Sequence, residues 1–476
     1  MLQDNQIAPE KTADAASPVG SGQSWLGHAG ATVSLALPLI GVQLAQVTMN
    51  VTDTVMVGWL GATELAAAVL ATQAFFLVFI FGAGFAHAAI PLAAGAEGRG
   101  DTRGVRRSIR MSVWVLVLYG ALVMIPLSFL EPILLLLDQE PETARLAGAY
   151  MTLGQWSMFP ALIILSLRAY LTVVNRAYLM LSVIVAGALA NAGFNWIFIF
   201  GNLGAPAMGI VGAAMATLLS NMLMAGLLVG YTVFAPGLKR YELYARAWRP
   251  DWPAFFEVVR LGLPISATII AEVGLFATSS IMMGWLGTVP LAAHGIALQI
   301  ASISFMIPLG LANAASVRVG IAHGRQDRIA LARAGDTAIL IGGAIALCAA
   351  VLFWLWPEGL VGFYLDPGNA ASAEVLATAV PLLFVAAVFQ IADSLQAVGA
   401  GVLRGMKDTR VPMLMALVSY WLVGMPIAYV LAFPLGLGGP GIWWGLASGL
   451  AAAAAMMNWR YVRRERYGLV GEGSAI

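Results

Sequence analysis

The stretch PLIGVQLAQVTMNVTDTVMVGWLG, residues Pro38 to Gly61, decides how the rest of the chain is read. Most of it suits the interior of a bilayer, yet Gln43, Gln46, Asn50 and Asp53 follow one another at steps of three, four and three. That spacing gathers all four on one face of an α-helix. An acid at mid-membrane costs roughly 2.5–3.5 kcal/mol on insertion scales, so a polar stripe ending in a carboxylate faces a bundle interior or a wet cavity. The stretch also recurs. PISATIIAEVGLFATSSIMMGWLG runs from Pro264 to Gly287, and the shared GWLG begins at Gly58 and at Gly284, 226 positions apart. The same offset pairs Gln73 with Gln299, the loop GRGD at Gly98 with GRQD at Gly324, and Gln46 with Glu272. The chain reads as a duplicated membrane protein with an acid inside the bilayer in each half.

Composition agrees. Of 476 residues, 60% are hydrophobic and 10% charged, against roughly 25% charged in a soluble domain. A formal net charge of +1 gives no sign of a nucleic-acid partner. Cys348 is the only cysteine and lies in an apolar run, which excludes a disulfide or thiolate metal site within the chain and reads as a small packing residue. Residues 1–30 are polar, rich in Ala, Gly and Ser, and lack the apolar core of a signal peptide. They read as a flexible cytoplasmic tail.

Apolar segments long enough to cross a ~30 Å hydrocarbon core fall near 32–58, 65–95, 109–130, 146–172, 180–201 and 209–234, and again near 256–285, 291–317, 334–356, 374–403, 411–434 and 441–461. The expected fold is therefore an all-α polytopic membrane protein. Twelve transmembrane helices form two six-helix bundles. An even number per repeat sends both halves in from the same side, so the pseudo-two-fold axis runs along the membrane normal. The expected units are an N-terminal lobe at 31–234, a cytoplasmic linker at 235–255, a C-terminal lobe at 256–463 and a cytoplasmic tail at 464–476. The linker, with three prolines, mixed charge and aromatics, suits an amphipathic piece on the membrane surface, with Trp248 and Trp252 at headgroup level. Loops rich in Arg and Lys (Arg99 to Arg110, Lys239 to Arg260, Arg325 to Arg333, Arg404 to Arg410, Arg460 to Arg466) all fall on one side of this plot. Glu131, Asp138, Glu140 and Glu142, then Glu358, Asp366 and Glu374, fall on the other. Positive charge marks the cytoplasmic side, which places both termini there.

Three groups of residues carry the candidate chemistry. Asp53 is joined by Asn191 and Asn195, four apart on one face of the fifth span. An acid with two amides suits a cation or a proton, and amides also serve as polar glue between helices. Glu272 and Asp393 lie in apolar helices of the second half, Asp393 on a stripe with Gln390 and Gln396. Two carboxylates on one cavity repel when both are ionised, so one holds its proton or a cation binds between them. Oxygen ligands suit Na⁺, and the absence of nearby His or Cys argues against a transition metal. Gln46 and Gln390 are supporting polar ligands. Arg168 reads as snorkelling toward the cytoplasmic surface, and His87 and His294 as packing residues. Because the offset sets Gln46, not Asp53, opposite Glu272, Asp53 and Glu272 are expected in separate cavities. No nucleophile–base pair, phosphate-cradling loop or metal motif appears, so an enzyme is not expected, and no cofactor.

The chain resembles the multidrug and toxic compound extrusion (MATE) family in its NorM branch, over roughly residues 32–463. The resemblance rests on VTDTVMVGWLG, on AEVGLF and LAAHGIALQI in spans seven and eight, on FQIADSLQAVGAGVLRGMKDT through span ten, and on SYWLVGMPIAY in span eleven. It implies cation/proton coupling at Glu272, Asp393 and Asp53, with Na⁺ or H⁺ as coupling ion, and amides Asn191 and Asn195 near the first-half acid. Asp366, in YLDPGN, resembles an acid that contacts substrate near the outer mouth, and Phe389 stands where the family often carries Tyr; both are candidate substrate contacts. The implied activity is secondary active antiport of amphipathic organic cations by a monomer in the bacterial inner membrane. The alternative is a lipid-linked saccharide flippase, which calls for cationic residues lining the cavity to hold pyrophosphate.

Overall fold

The computed structural model describes residues 24–366, 368 and 372–470, so most of the expected N-terminal tail and the last six residues of the C-terminal one lie outside the described residues. The architecture is all-helical. The first lobe holds α1 (Trp25–Gly58), α2 (Ala62–Gly98), α3 (Thr102–Ser128), a short α4 (Leu130–Leu136), α5 (Pro141–Gly154) continued through a 3₁₀ turn into α6 (Met158–Val173), α7 (Ala177–Phe200) and α8 (Ile210–Phe234). The second holds α9 (Trp252–Leu286), α10 (Thr288–Gly324), α11 (Arg328–Leu355), a short α12 (Pro357–Gly362), α13 (Ser372–Gly405), α14 (Arg410–Leu417), α15 (Met425–Ala432) and α16 (Gly438–Val462). A π-helical stretch, Val418–Gly424, joins α14 to α15. Eleven spans among the described residues are long and apolar enough to cross a bilayer, counting α5–α6 and α14–α15 as one each. The 25-residue, Gly- and Ala-rich α16 is the twelfth.

The duplication is visible in detail. α2 and α10 are each 37 residues long. Asp101 caps α3 by accepting from Gly104 N at 2.8 Å, and its repeat partner Asp327 caps α11 by accepting from Ala330 N at 2.9 Å. A side-chain oxygen at this position satisfies one of the otherwise orphaned first-turn amides. GWLG ends in a glycine because the chain reverses there with φ of +153° at Gly61 and +126° at Gly287, a region that L side chains rarely enter.

Contacts between the lobes lie toward the Arg-rich end. There α2 packs on α9 and α10, and α1 on α10 and α11. The halves of α2 and α10 nearest that end are buried nearly all round, and they are runs of small residues: AGFAHAAIPLAAGA in one and GLANAASVRVGIAHG in the other. With lipid on all sides there is little hydrophobic drive between helices, so close backbone approach through Gly and Ala supplies the attraction. Gly84 of α2 lies against Ser266 of α9, and the repeat-related Gly310 of α10 lies against Ile40 of α1.

Several expectations need correcting. α1 begins at Trp25 with Ser24 as its cap, so 25–30 is helix and not tail. The linker opens on a short 3₁₀ helix, Pro236–Tyr241, followed by tight turns. It is strapped beneath the first lobe. Tyr241 donates to Glu97 at 2.9 Å, Trp114 Nε1 donates to the Ala247 carbonyl at 2.8 Å, and Arg106 pairs with Glu242 at 2.7 Å. Trp248 and Trp252 remain exposed. Cys348 is exposed on α11 rather than packed. Arg145, the basic residue beside the acidic loop, is held by Glu142 at 2.6 Å.

Candidate transport cavity

The lobes part away from the Arg-rich end around one central cavity of about 1470 Å³. Its wall is mixed: aromatic and aliphatic side chains such as Phe75, Phe76, Phe276 and Met306 alternate with Gln43, Gln46, Asn50, Asp53 and Glu272. The polar stripe of α1 thus faces the cavity along its length, as the helical spacing required. Asp53 and Glu272 lie on this same cavity, which corrects the expectation that each occupies a separate one. They remain apart in their partners, because every hydrogen bond that Asp53 makes stays within the first lobe.

Asp53 is built from three helices. Asn195 of α7 donates to Asp53 Oδ1 at 2.5 Å, and its amide also donates to Asn191 Oδ1 at 3.3 Å. Thr217 of α8 stands 3.5 Å from Asp53 Oδ2. Both asparagines are fully buried. Thr217, a single hydroxyl in an apolar helix, carries no sequence signal that would single it out.

The second group sits deeper in the C-terminal lobe. Asp393 and Gln390 of α13 are buried, and among the described residues Asp393 Oδ1 and both polar side-chain atoms of Gln390 have no hydrogen-bond partner. Glu272 reaches toward them from the cavity side of α9 and lies close enough for its charge to act on Asp393. Tyr420, on the π-helical stretch, is fully buried, within electrostatic range of both acids, and its hydroxyl has no partner among the described residues. Such widened turns redirect side chains and recur at functional sites. Each buried polar atom left unpaired costs about 1–3 kcal/mol, so a polar occupant would stabilise this cluster.

Two sequence readings are overturned by bases that the fold turns inward. Arg168 of α6 lines the cavity and donates to Gln43 Oε1 at 2.9 Å instead of snorkelling outward. Arg404, which the sequence assigns to an Arg-rich loop, lies in the last turn of α13 and lines the cavity as well, near Glu272. His87 also faces the cavity rather than packing in a core. His294 is a packing residue: its ring meets Trp443 at 5.7 Å and its Nε2 lies 3.2 Å from Ser280 Oγ. Among the described residues its Nδ1 has no hydrogen-bond partner.

The two candidate substrate contacts lie elsewhere. Asp366 is in the loop before α13, where its Oδ1 accepts from Gly368 N at 2.9 Å; neighbouring Tyr364 is the residue that lines the cavity. Phe389 is buried between Phe276, at 6.0 Å, and Trp443, at 5.3 Å.

The MatE family model matches residues 38–197 and 264–430, two blocks whose starts are separated by the repeat offset itself. This chain belongs to the MatE family. Within it, the chain is 52% identical to the probable multidrug resistance protein NorM of Rhizobium meliloti (strain 1021), over 93% of this chain and 95% of that protein. It is 49% identical to the protein of the same description from Agrobacterium fabrum, over 94% of this chain and 96% of that one. Among solved structures, the fold is that of the eukaryotic MATE transporter AtDTX14, with a TM-score of 0.82 at 21% identity and coverage of 94% and 99%. A multidrug resistance MATE transporter in its outward-facing conformation gives 0.80 at 23% identity, with coverage of 92% and 96%. The MatE fold accounts for the two six-helix lobes and the central cavity.

Proposed function

We propose that this protein is a secondary active exporter of amphipathic organic cations, exchanged for inward Na⁺ or H⁺. The observation that carries the reading is the cavity between duplicated lobes, with Asp53 from one half and Glu272 from the other on its wall. Relatives described as multidrug resistance proteins support the substrate class. With both termini cytoplasmic, the end sealed by α2, α9 and α10 is the inner one, and the cavity faces outward in the inner membrane.

The mechanism follows from charge. A carboxylate in low dielectric is costly unless a cation or proton accompanies it. Glu272 and Asp393, with Gln390 and Gln46 as supporting ligands, form the coupling site. Asp53, Asn191 and Asn195 form a second one in the first lobe. An incoming Na⁺ or H⁺ satisfies the acids and releases the organic cation; rocking of one lobe against the other then re-exposes them inside. Asp366 and Phe389 act indirectly, by shaping the mouth and wall. The protein works as a monomer, without a cofactor and without catalysing a covalent reaction.

The flippase alternative calls for a cationic cavity. Arg168 and Arg404 supply two cations, but Asp53 and Glu272 on the same wall would repel a pyrophosphate. The deciding experiment loads purified protein into liposomes and follows efflux of a fluorescent organic cation under an imposed Na⁺ gradient, then under an imposed pH gradient. Efflux driven by either gradient is expected. Efflux indifferent to both would defeat the antiport reading.

A further inference from the structure

We propose that Arg404 is a charge barrier that keeps the coupling ion from leaking through the second lobe to the inner side while the cavity faces outward. The inference rests on the antiport reading and deepens it. An ion that slipped past Asp393 to the inner end without movement of the lobes would dissipate its gradient and carry nothing out. The starting observation is a polar track along α13. Gln390, Asp393, Ala397, Ala400 and Arg404 follow one another at steps of three, four, three and four, which puts them on one face of that helix. Gln390 and Asp393 are buried, and polar atoms of both have no hydrogen-bond partner among the described residues. Toward the Arg-rich end, Gln396, Ala397, Ala400 and Arg404 line the cavity, joined by Thr409 just before α14 and Met457 of α16. Thr409 is buried as well, and its hydroxyl has no partner among the described residues.

Arg404 lies about three turns, or 16 Å, beyond Asp393 along this face. Between them the face carries only the methyl groups of Ala397 and Ala400, so bulk is not what stops a small ion there. Arginine keeps its proton throughout the physiological range, and a fixed positive charge excludes cations and protons from a passage wide enough to admit them. Lys407 and Arg460, at this end of the lobe, do not supply that charge. Lys407 pairs with Glu257 at 3.0 Å and Arg460 with Asp408 at 2.5 Å, neutral couples that fasten the loop after α13 to α9 and α16. Arg404 takes part in none of the ion pairs among the described residues, and its Nε donates to the Ala400 carbonyl of its own helix at 3.3 Å. Glu272 lies close enough for its charge to act on Arg404. An ion bound at Glu272 cancels that charge and then meets the full field of the arginine ahead of it.

The test reconstitutes purified protein in liposomes and measures uptake of radioactive Na⁺, or of protons read by a trapped pH dye, with no organic cation present. Wild-type protein takes up little more than empty liposomes. Arg404→Gln raises this substrate-free uptake by roughly tenfold to a thousandfold, the effect of removing one unit charge at intermediate dielectric. Arg404→Lys keeps the liposomes tight. In a Cys348→Ala background, Arg404→Cys leaks; a trimethylammonium methanethiosulfonate closes the leak and the neutral methyl reagent does not, a rescue that a merely structural role would not produce. A leaky wild type, a folded Arg404→Gln as tight as wild type, or equal closure by both reagents overturns the barrier. Should Arg404→Gln fail to fold, Ala400→Glu carries the test, since it leaves the arginine in place and sets an opposing charge one turn above it: leak supports the barrier and tightness overturns it. Gradient-driven efflux is followed in the same liposomes. Its absence from wild-type protein removes the antiport reading, whereas coupled wild-type efflux with a tight Arg404→Gln removes the barrier alone.

Discussion

Gly98 and Gly324 are repeat partners, 226 positions apart in the sequence, and they lie against each other: a Cβ added to Gly98 would stand 3.1 Å from the Gly324 Cα. Two symmetry-related residues in mutual contact place the pseudo-two-fold axis between them. The same added Cβ would run into the Ile321 carbonyl, and one on Gly324 would run into the Gly95 carbonyl. The seal at the Arg-rich end therefore depends on bare backbone at both positions.

Replacing either glycine by valine should push the lobes apart at this end. Overpacking of a tight contact costs about 1–3 kcal/mol, enough to move a two-state equilibrium by roughly tenfold to a hundredfold. Spin labels at Arg103 and Ile329, themselves repeat partners near the starts of α3 and α11, would report the distance. A broadened and lengthened distribution in Gly98→Val is the expected result; an unchanged one would show that the seal tolerates bulk there.

Glu272 and Asp393 should act as one unit in coupling. Asp393 Oδ1 and Gln390 lack partners, and Glu272 stands within electrostatic reach. Removing either charge in Glu272→Gln or Asp393→Asn should abolish gradient-driven efflux nearly as fully as the double change, a strongly non-additive pattern. Separate and additive losses, measured at matched protein levels, would show two independent sites.

Asp251 offers a pH test outside the membrane. The hydrogen bond and charge of Arg107 hold its carboxyl below the usual range. Because the folded value is depressed, its contribution to stability is present at neutral pH and fades as pH falls below the ordinary Asp value of about 4. Asp251 also caps α9 while bridging it to α3. Asp251→Asn should lower the melting temperature at neutral pH, and the gap from wild type should close in acid. A gap independent of pH would mean that capping, not charge, is what Asp251 supplies.

Topology can be checked by labelling. In a Cys348→Ala background, needed because Cys348 is exposed, single cysteines at Arg103 and Glu140 should react with an impermeant maleimide from opposite sides, Glu140 from outside. Reaction of both from one side would refute the twelve-span orientation.

The fold was legible in the sequence because its signals are local or periodic. Span length follows from bilayer thickness, the face of Asp53 from helical spacing, and the duplication from the 226-residue offset. Asp53 with Asn191 and Asn195 was legible too, since an acid and amides in apolar helices have few places to go but toward one another. Tertiary structure decided what each inward side chain meets. Arg168 and Arg404 look in sequence like surface charges near helix ends, yet the tilt and packing of α6 and α13 turn them onto the cavity. Tyr420 is buried with its hydroxyl unpaired on a π-helical stretch that no spacing rule announces. Phe389 packs against Phe276 and Trp443 instead of opening to the cavity. Whether Asp53 and Glu272 share a chamber depends on how two lobes meet across Gly98 and Gly324, and that contact is set by backbone shape rather than by any residue's own chemistry.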